Sequence, residues 1–333
     1  MGIASNKPHL PRARGPASEA LAAALRAEPG PLPDLPAVPD VLCDDAQLAL
    51  YICYELHYRG FRDVDDGWEW NPDLLARRAV LERAFLDRLR AELGAVPDST
   101  AQVSRLLAPS DGEGSTSGFL RDEGQRWQIQ EYLAARSLYH LKEADPQSWA
   151  IPRTHGDAQS VLVALQYDEY GGGRPERVHA KLFADMMRAW GLDAAYGAQV
   201  DAAPWQAMAV VNLMSLFGLH RAHRGALLGQ FARVEIASSP SSARLVEAFK
   251  RHDVAEAGYR FYDEHVEADA VHEQLVRRGV LDGLLRDEPH LEADVAFGLA
   301  ASGFTETALG NLLLESWKAE RSALRANPSL VAS

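Results

Sequence analysis

After residue 121, apolar residues recur at three- and four-residue spacing through most of the chain. This period predicts helices over 121–144, 156–170, 175–190, 204–218, 225–238, 241–251, 254–278 and 289–321. The breaks fall at Pro146 and Pro152, at Gly171, Gly172 and Gly173, and at Pro204, Pro240 and Pro289, where a missing N–H or a left-handed glycine ends a helix. Two more helices are expected upstream. One spans 44–60, capped by Asp44 or Asp45 and stopped by Gly60; the other spans 72–94, with Leu74, Leu75, Val80, Leu81 and Phe85 on one face. The turn-forming, weakly apolar stretch 109–118 is expected as a flexible loop and sub-domain boundary. Residues 1–40 carry eight prolines around an Ala-rich helical patch at 18–28, and are expected as a disordered or draped arm. Alternating β-branched strands are hard to find and no internal repeat is evident, so the expected class is all-α: a helical core over 121–325, with the helices of 41–120 packed on it.

Composition narrows the function. The 333 residues suffice for a sizeable core without disulfide or metal staples, and 47% hydrophobic with 24% charged residues is ordinary for a soluble protein. A formal charge of −13 argues against a protein that neutralises phosphates, so nucleic acid is not an expected partner. Cys43 and Cys53 are the only cysteines, which leaves no disulfide framework and no thiolate metal site; a reducing cytoplasm suffices. The basic, Pro-punctuated N-terminus is followed by no apolar signal core. The nearest approach to a membrane span, 208–219, is interrupted by Asn212 and Ser215, and no membrane partner is expected.

Three segments carry candidate chemistry. In Tyr262-Asp-Glu-His265-Val-Glu-Ala-Asp269-Ala-Val-His272, the residues His265, Asp269 and His272 stand at i, i+4 and i+7 and share one stripe of a helix, the spacing by which one helix collects metal ligands. The alternative is a solvated polar face, for which Glu264, Glu267 and Glu273 argue. The second segment runs from Tyr167 to His179: a helix ends in Asp168 and Glu169, three glycines follow, and the next helix carries His179. Glu169 and His179 can then face one point across the glycine turn, although a helix cap beside a packed histidine would look the same. Neither phosphate-loop spacing is matched, which discards a nucleotide site. The third is Glu143, near the end of the 121–144 helix, which alone would pass for a surface acid. Together, three carboxylates and three imidazoles converging in a bundle make the set expected for two irons.

The order Glu143, Glu169, His179, His265, Asp269, His272, with separations of 26, 10, 86, 4 and 3 residues, resembles that of the haem-oxygenase-like diiron oxidases and oxygenases, in particular their N-oxygenating members. The resemblance covers roughly 121–321. It implies a haem-oxygenase-like bundle with extra N-terminal helices, those six residues as ligands of two ferrous ions, and O2 as cosubstrate. It further implies a small amine, amino acid or fatty-acid-like substrate undergoing N-oxygenation, desaturation or oxidative C–C cleavage, with an external electron donor and a homodimer both allowed. Glu55 is a rival to Glu143 as first ligand, disfavoured because Glu55 and His57 lie about 200° apart on a helix. His220 and His223, among arginines at a helix junction, are better explained as a C-terminal cap. Tyr132, Tyr139, Tyr167, Tyr262, Phe217 and Trp205 flank the ligand helices as cavity walls or core. Arg136, Lys142, Arg174 and Arg177 are candidates to grip a substrate carboxylate, or plain surface cations. The rival class is a non-enzymatic helical metal-binding or interaction protein.

Overall fold

The computed structural model describes residues 7–330, apart from the side chains at 267, 269 and 270. In chain order, α1 (Pro16–Leu25), α2 (Asp44–Glu55), α3 (Pro72–Leu93), α4 (Ser99–Leu106) and α5 (Thr116–Asp122) precede the core. The core comprises α6 (Arg126–His140), α7 (Asp145–Ser148), α8 (Gly156–Glu169), α9 (His179–Ala189) and α10 (Trp205–Leu219), followed by α11 (Arg224–Lys250), α12 (Arg260–Leu275), α13 (Asp282–Asp287) and α14 (Glu292–Lys318). Among the described residues there is no strand, only an isolated bridge between Leu192 and Leu330.

α11 is the axis of the bundle, packed against α12, α14 and α5. Its crossing with α14 is unusually close because glycine faces backbone on both sides. A Cβ on Gly229 would stand 2.1 Å from the Val295 carbonyl oxygen, and one on Gly298 would stand 2.0 Å from that of Ala226. α10, apolar around its whole circumference, lies buried against α2 and α14. This explains the apolar run at 208–219: it is a core helix, and no helix among the described residues is long and apolar enough to cross a membrane.

Several boundaries differ from the sequence expectation. The helix expected to break at Pro240 instead runs unbroken as α11 from Arg224 to Lys250 with Pro240 inside it. Proline forfeits one helical bond, but the helix on both sides is clamped by α12, α14 and α5, and tertiary packing outweighs that local cost. The expected 121–144 helix is two helices, divided at a Gln125/Gln128 capping box. The presumed flexible loop at 109–118 already enters α5 at Thr116, capped by Ser115 Oγ on Gly118 N at 3.0 Å. The helix expected over 254–278 starts at Arg260 and passes through a π-helical turn, Val276–Leu281, into α13. The helix expected over 44–60 ends at Glu55, and Gly60 N bonds the Glu55 carbonyl at 2.9 Å.

The described part of the N-terminal arm is fastened by side chains from the body. Gly15 has no side chain to cap α1, and the Asp45 carboxylate does so from α2, accepting from Ala17 N at 2.9 Å and Ser18 N at 2.7 Å. Leu21 and Leu25 are fully buried. Trp68 Nε1 donates to the Ala27 carbonyl and Asn71 Nδ2 to that of Gly30.

Candidate metal centre

α8 ends at Glu169, and Gly171, Gly172 and Gly173 follow with φ of 80°, 60° and 79°, a left-handed run that glycine enters without steric cost. A Cβ on Gly171 would stand 2.7 Å from Val178 N, so the turn folds directly onto the start of α9. Glu169, the last residue of α8, and His179, the first of α9, are thereby brought face to face, with His179 Nδ1 2.8 Å from Glu169 Oε2. From α12, the His265 ring lies 4.5 Å from that of His179 between centroids. His265 Nδ1 donates to the Phe261 carbonyl at 2.6 Å, which fixes the tautomer and leaves Nε2, 3.9 Å from Glu143 Oε1, as the donor nitrogen.

His272, two turns further along α12, has Nδ1 3.6 Å from Glu169 Oε1 and 3.2 Å from Glu235 Oε2, and Nε2 3.4 Å from Asp168 Oδ2. Two donor groups result. Glu169, His179 and His265 form one; Glu169, Glu235 and His272 form the other; in each, the three donor atoms lie within 4.8 Å of one another. Glu169 belongs to both. All five side chains are buried.

Glu143 stands just outside these groups. α6 stops at His140, and Glu143 sits in the turn beyond it with φ of 21°; its Oε2 accepts from His140 Nδ1 at 2.9 Å while Oε1 faces His265. Asp269 falls within α12, but its side chain lies outside the described residues. Glu55 is turned away from both groups: it is buried in an ion pair with Lys142 at 2.7 Å. His220 bonds Glu82 at 3.0 Å and, with His223, belongs to neither group. Tyr132, Tyr139 and Tyr262 wall a second cavity with His140. Tyr167 is exposed, Phe217 packs on Phe297, and Arg177 pairs with Glu264.

Sequence reasoning missed Glu235, Asp168 and His140. Glu235 carried a usable signal, an acid one turn after the apolar Phe231 and Ala232 and two turns after Leu228 on α11. Its meeting with His272 depends on how α11 packs on α12, which helical period does not specify.

The electrostatics fit a cation. Burial alone would push the Glu169 carboxyl up, but His179, by charge and hydrogen bond, together with His265 and His272, holds it at about 2. Burial, reinforced by the Arg136 charge, pushes His140 down to about 3, so it stays neutral and serves Glu143 as an N–H donor. Buried carboxylate oxygens set against imidazole nitrogens, without thiolate, suit a divalent first-row metal such as iron. A cavity of about 390 Å³, bordered by Gly171, Gly172, Arg177, Glu264, His179 and His272, opens this cluster to solvent.

No curated protein matches the chain. Among solved structures, it is similar to a CADD-like protein of unknown function from Nostoc punctiforme, with 17% identity over 65% of this chain and 96% of that one and a TM-score of 0.51. It is also similar to a domain of unknown function with a heme oxygenase-like fold from Shewanella denitrificans, with 14% identity over 73% and 92% and a TM-score of 0.42. Residues 130–303, just over half of the chain and spanning α6 to the middle of α14, match the sequence profile of the iron-containing redox enzymes, with Glu143, Glu169, His179, Glu235, His265 and His272 all inside the match: the all-α, haem-oxygenase-like chain belongs to that family.

Proposed function

We propose that the protein is a non-haem diiron enzyme that uses O2 to oxidise a small amine, amino acid or fatty-acid-like metabolite. The observation that carries this reading is the sharing of Glu169 between two donor groups, since one carboxylate with two faces is what a pair of adjacent metal ions requires. Two ferrous ions there would supply O2 with two electrons in one encounter, chemistry that no amino-acid side chain provides.

The chain's own residues set the conditions. Glu169 would bridge, His179 and His265 would hold one ion, and Glu235 and His272 the other, with Glu143 and Asp269 completing the set. His140 orients Glu143 through its Nδ1–H, and the rings of Phe183, Phe261 and Tyr262, 4.8, 5.0 and 6.4 Å from the His140 ring, pack around it and hold it in place. The opening at the glycine turn leaves a route for O2 and for an external electron donor. N-oxygenation, desaturation and oxidative C–C cleavage are the reactions in scope.

Anaerobic Fe(II) titration of the full chain tests this. Uptake should break near about two Fe(II) per chain, and admission of O2 should give a transient visible absorbance with consumption of O2. A break near one ion would make the centre mononuclear. Absence of uptake would assign the chain to the non-enzymatic helical proteins.

A further inference from the structure

Between α6, α11, α12 and α14 lies a cavity of about 320 Å³, at the small end of the range for small-molecule sites. It abuts the metal centre through His140, which lines the cavity while its Nδ1 bonds Glu143. Its walls follow helical period: Arg136 and His140 one turn apart on α6, Arg233 and Ser241 two turns apart on α11, Ser302 and Glu306 one turn apart on α14. Glu235, two residues from Arg233 and so about 200° around α11, reaches His272 instead. One helix thus presents a different face to each site.

The cavity holds three guanidinium groups and one carboxylate. Arg136 and Glu306 pair twice, at 2.8 and 2.7 Å. Arg244 gives Nε to Ser117 Oγ at 3.0 Å and Nη1 to the Ser110 carbonyl at 3.4 Å. Arg233 differs: among the described residues nothing accepts a hydrogen bond from it, and Glu306, already committed to Arg136, attracts it only through space. It lies half-buried against Gly303, where a Cβ would stand 3.0 Å from the guanidinium carbon. A guanidinium partly withdrawn from water with its donors unspent calls for an anion, and its planar fork matches a carboxylate.

We propose that this cavity is the substrate chamber and that Arg233 binds the substrate's carboxylate, leaving the reacting part of the molecule toward His140 and the metal centre. The proposal rests on the redox-enzyme reading for the fate of the bound molecule, but its binding test does not. Calorimetry on the full metal-free chain, repeated after addition of Zn(II), would use hexanoate, adipate, L-lysine and L-arginine, each against its carboxamide. At least one acid should bind about tenfold or more tighter than its amide. Arg233→Gln should erase that preference and leave Fe(II) stoichiometry unchanged. Equal binding of acid and amide, no binding by any of the four acids, or a preference that survives in Arg233→Gln overturns the proposal. Should Arg233→Gln lose helicity, Gly303→Ala serves: it favours the helix, keeps the charge and displaces the guanidinium, so acid affinity should fall while amide affinity holds, and unchanged acid affinity overturns the assignment. Because O2 enters no readout, an acid preference in a chain that binds no iron would sink only the diiron reading. Loss of the preference in a chain with full iron would sink only this one.

Discussion

Two buried carboxylate clusters lie back to back beyond α6, and they differ in what balances their charge. Lys142 turns to Glu55, with Nζ 2.7 Å from Oε2 and both side chains 1% exposed or less. Tyr196 donates its hydroxyl to the same oxygen at 2.9 Å, and the ammonium lies 4.3 Å from the Tyr58 ring and 5.2 Å from that of Tyr51. The next residue, Glu143, contacts His140 and His265 instead. The first cluster contains its own cation and is closed; the second sets carboxylates against imidazoles, a donor set compatible with a cation from outside. Burial of an acid therefore does not mark a metal site; the chemistry of its partners does. Lys142 and Glu143 lie in the turn beyond α6, Glu143 with φ of 21°, and from that turn the two consecutive side chains serve different clusters.

The comparison breaks most readily at Glu169. Glu169→Ala removes the one carboxylate common to both donor groups, so iron retained after gel filtration should fall from about two ions per chain to below one. O2-dependent turnover should fall at least about 100-fold, with far-ultraviolet dichroism unchanged. A folded variant with full iron would place the metal elsewhere. Lys142→Met tests the closed cluster. It strands the Glu55 carboxylate in the core and should cost about 3–5 kcal/mol of unfolding free energy in urea titrations, most of which the double variant Lys142→Met/Glu55→Leu should recover. Recovery separates a structural ion pair from a functional one, since no second substitution should restore the centre lost in Glu169→Ala. Smaller in effect is Glu235→Gln, which should weaken one of two iron affinities about 10–100-fold and spare the other. Equal weakening of both would mean that Glu235 serves the whole cluster.

What the sequence made legible follows the same division between local and tertiary causes. Most helices were legible from period, α4 (Ser99–Leu106) being missed, and most ends from Gly and Pro, because those effects act within one turn. Pro240 defeated the rule since its helix is held by neighbours distant in sequence. His265 and His272 were legible as a pair because one helix carries both. Glu169 and His179 were legible because three glycines announce a tight re-entry, and the structure shows all three at positive φ. Glu143 was not legible in place: from a helix running through residue 144 it would lie within one turn of Pro146, far from the level of Glu169 on the antiparallel helix, whereas α6 stops at His140 and Glu143 sits in the turn beyond. Glu235 stayed hidden because its partner is 37 residues away on another helix.

Glu55→Gln gives the finest test and the smallest effect. Glutamine keeps an oxygen for the Lys142 ammonium and for the Tyr196 hydroxyl while removing the negative charge. The ammonium still lies over the Tyr58 and Tyr51 rings, whose faces attract a cation by about 0.5–2 kcal/mol each. Lys142 is therefore less stranded than Glu55 would be in Lys142→Met, and the expected loss is about 1–2 kcal/mol, near that of one charged hydrogen bond. Iron stoichiometry should be unchanged, because Glu55 lies in neither donor group. The measurement pairs a urea titration with an iron assay on the same preparation. Stability nearly retained with iron intact would confirm a cluster closed by its own cation and aromatic rings. Iron lost at constant stability would move the first ligand from Glu143 to Glu55 and erase the distinction between the two clusters.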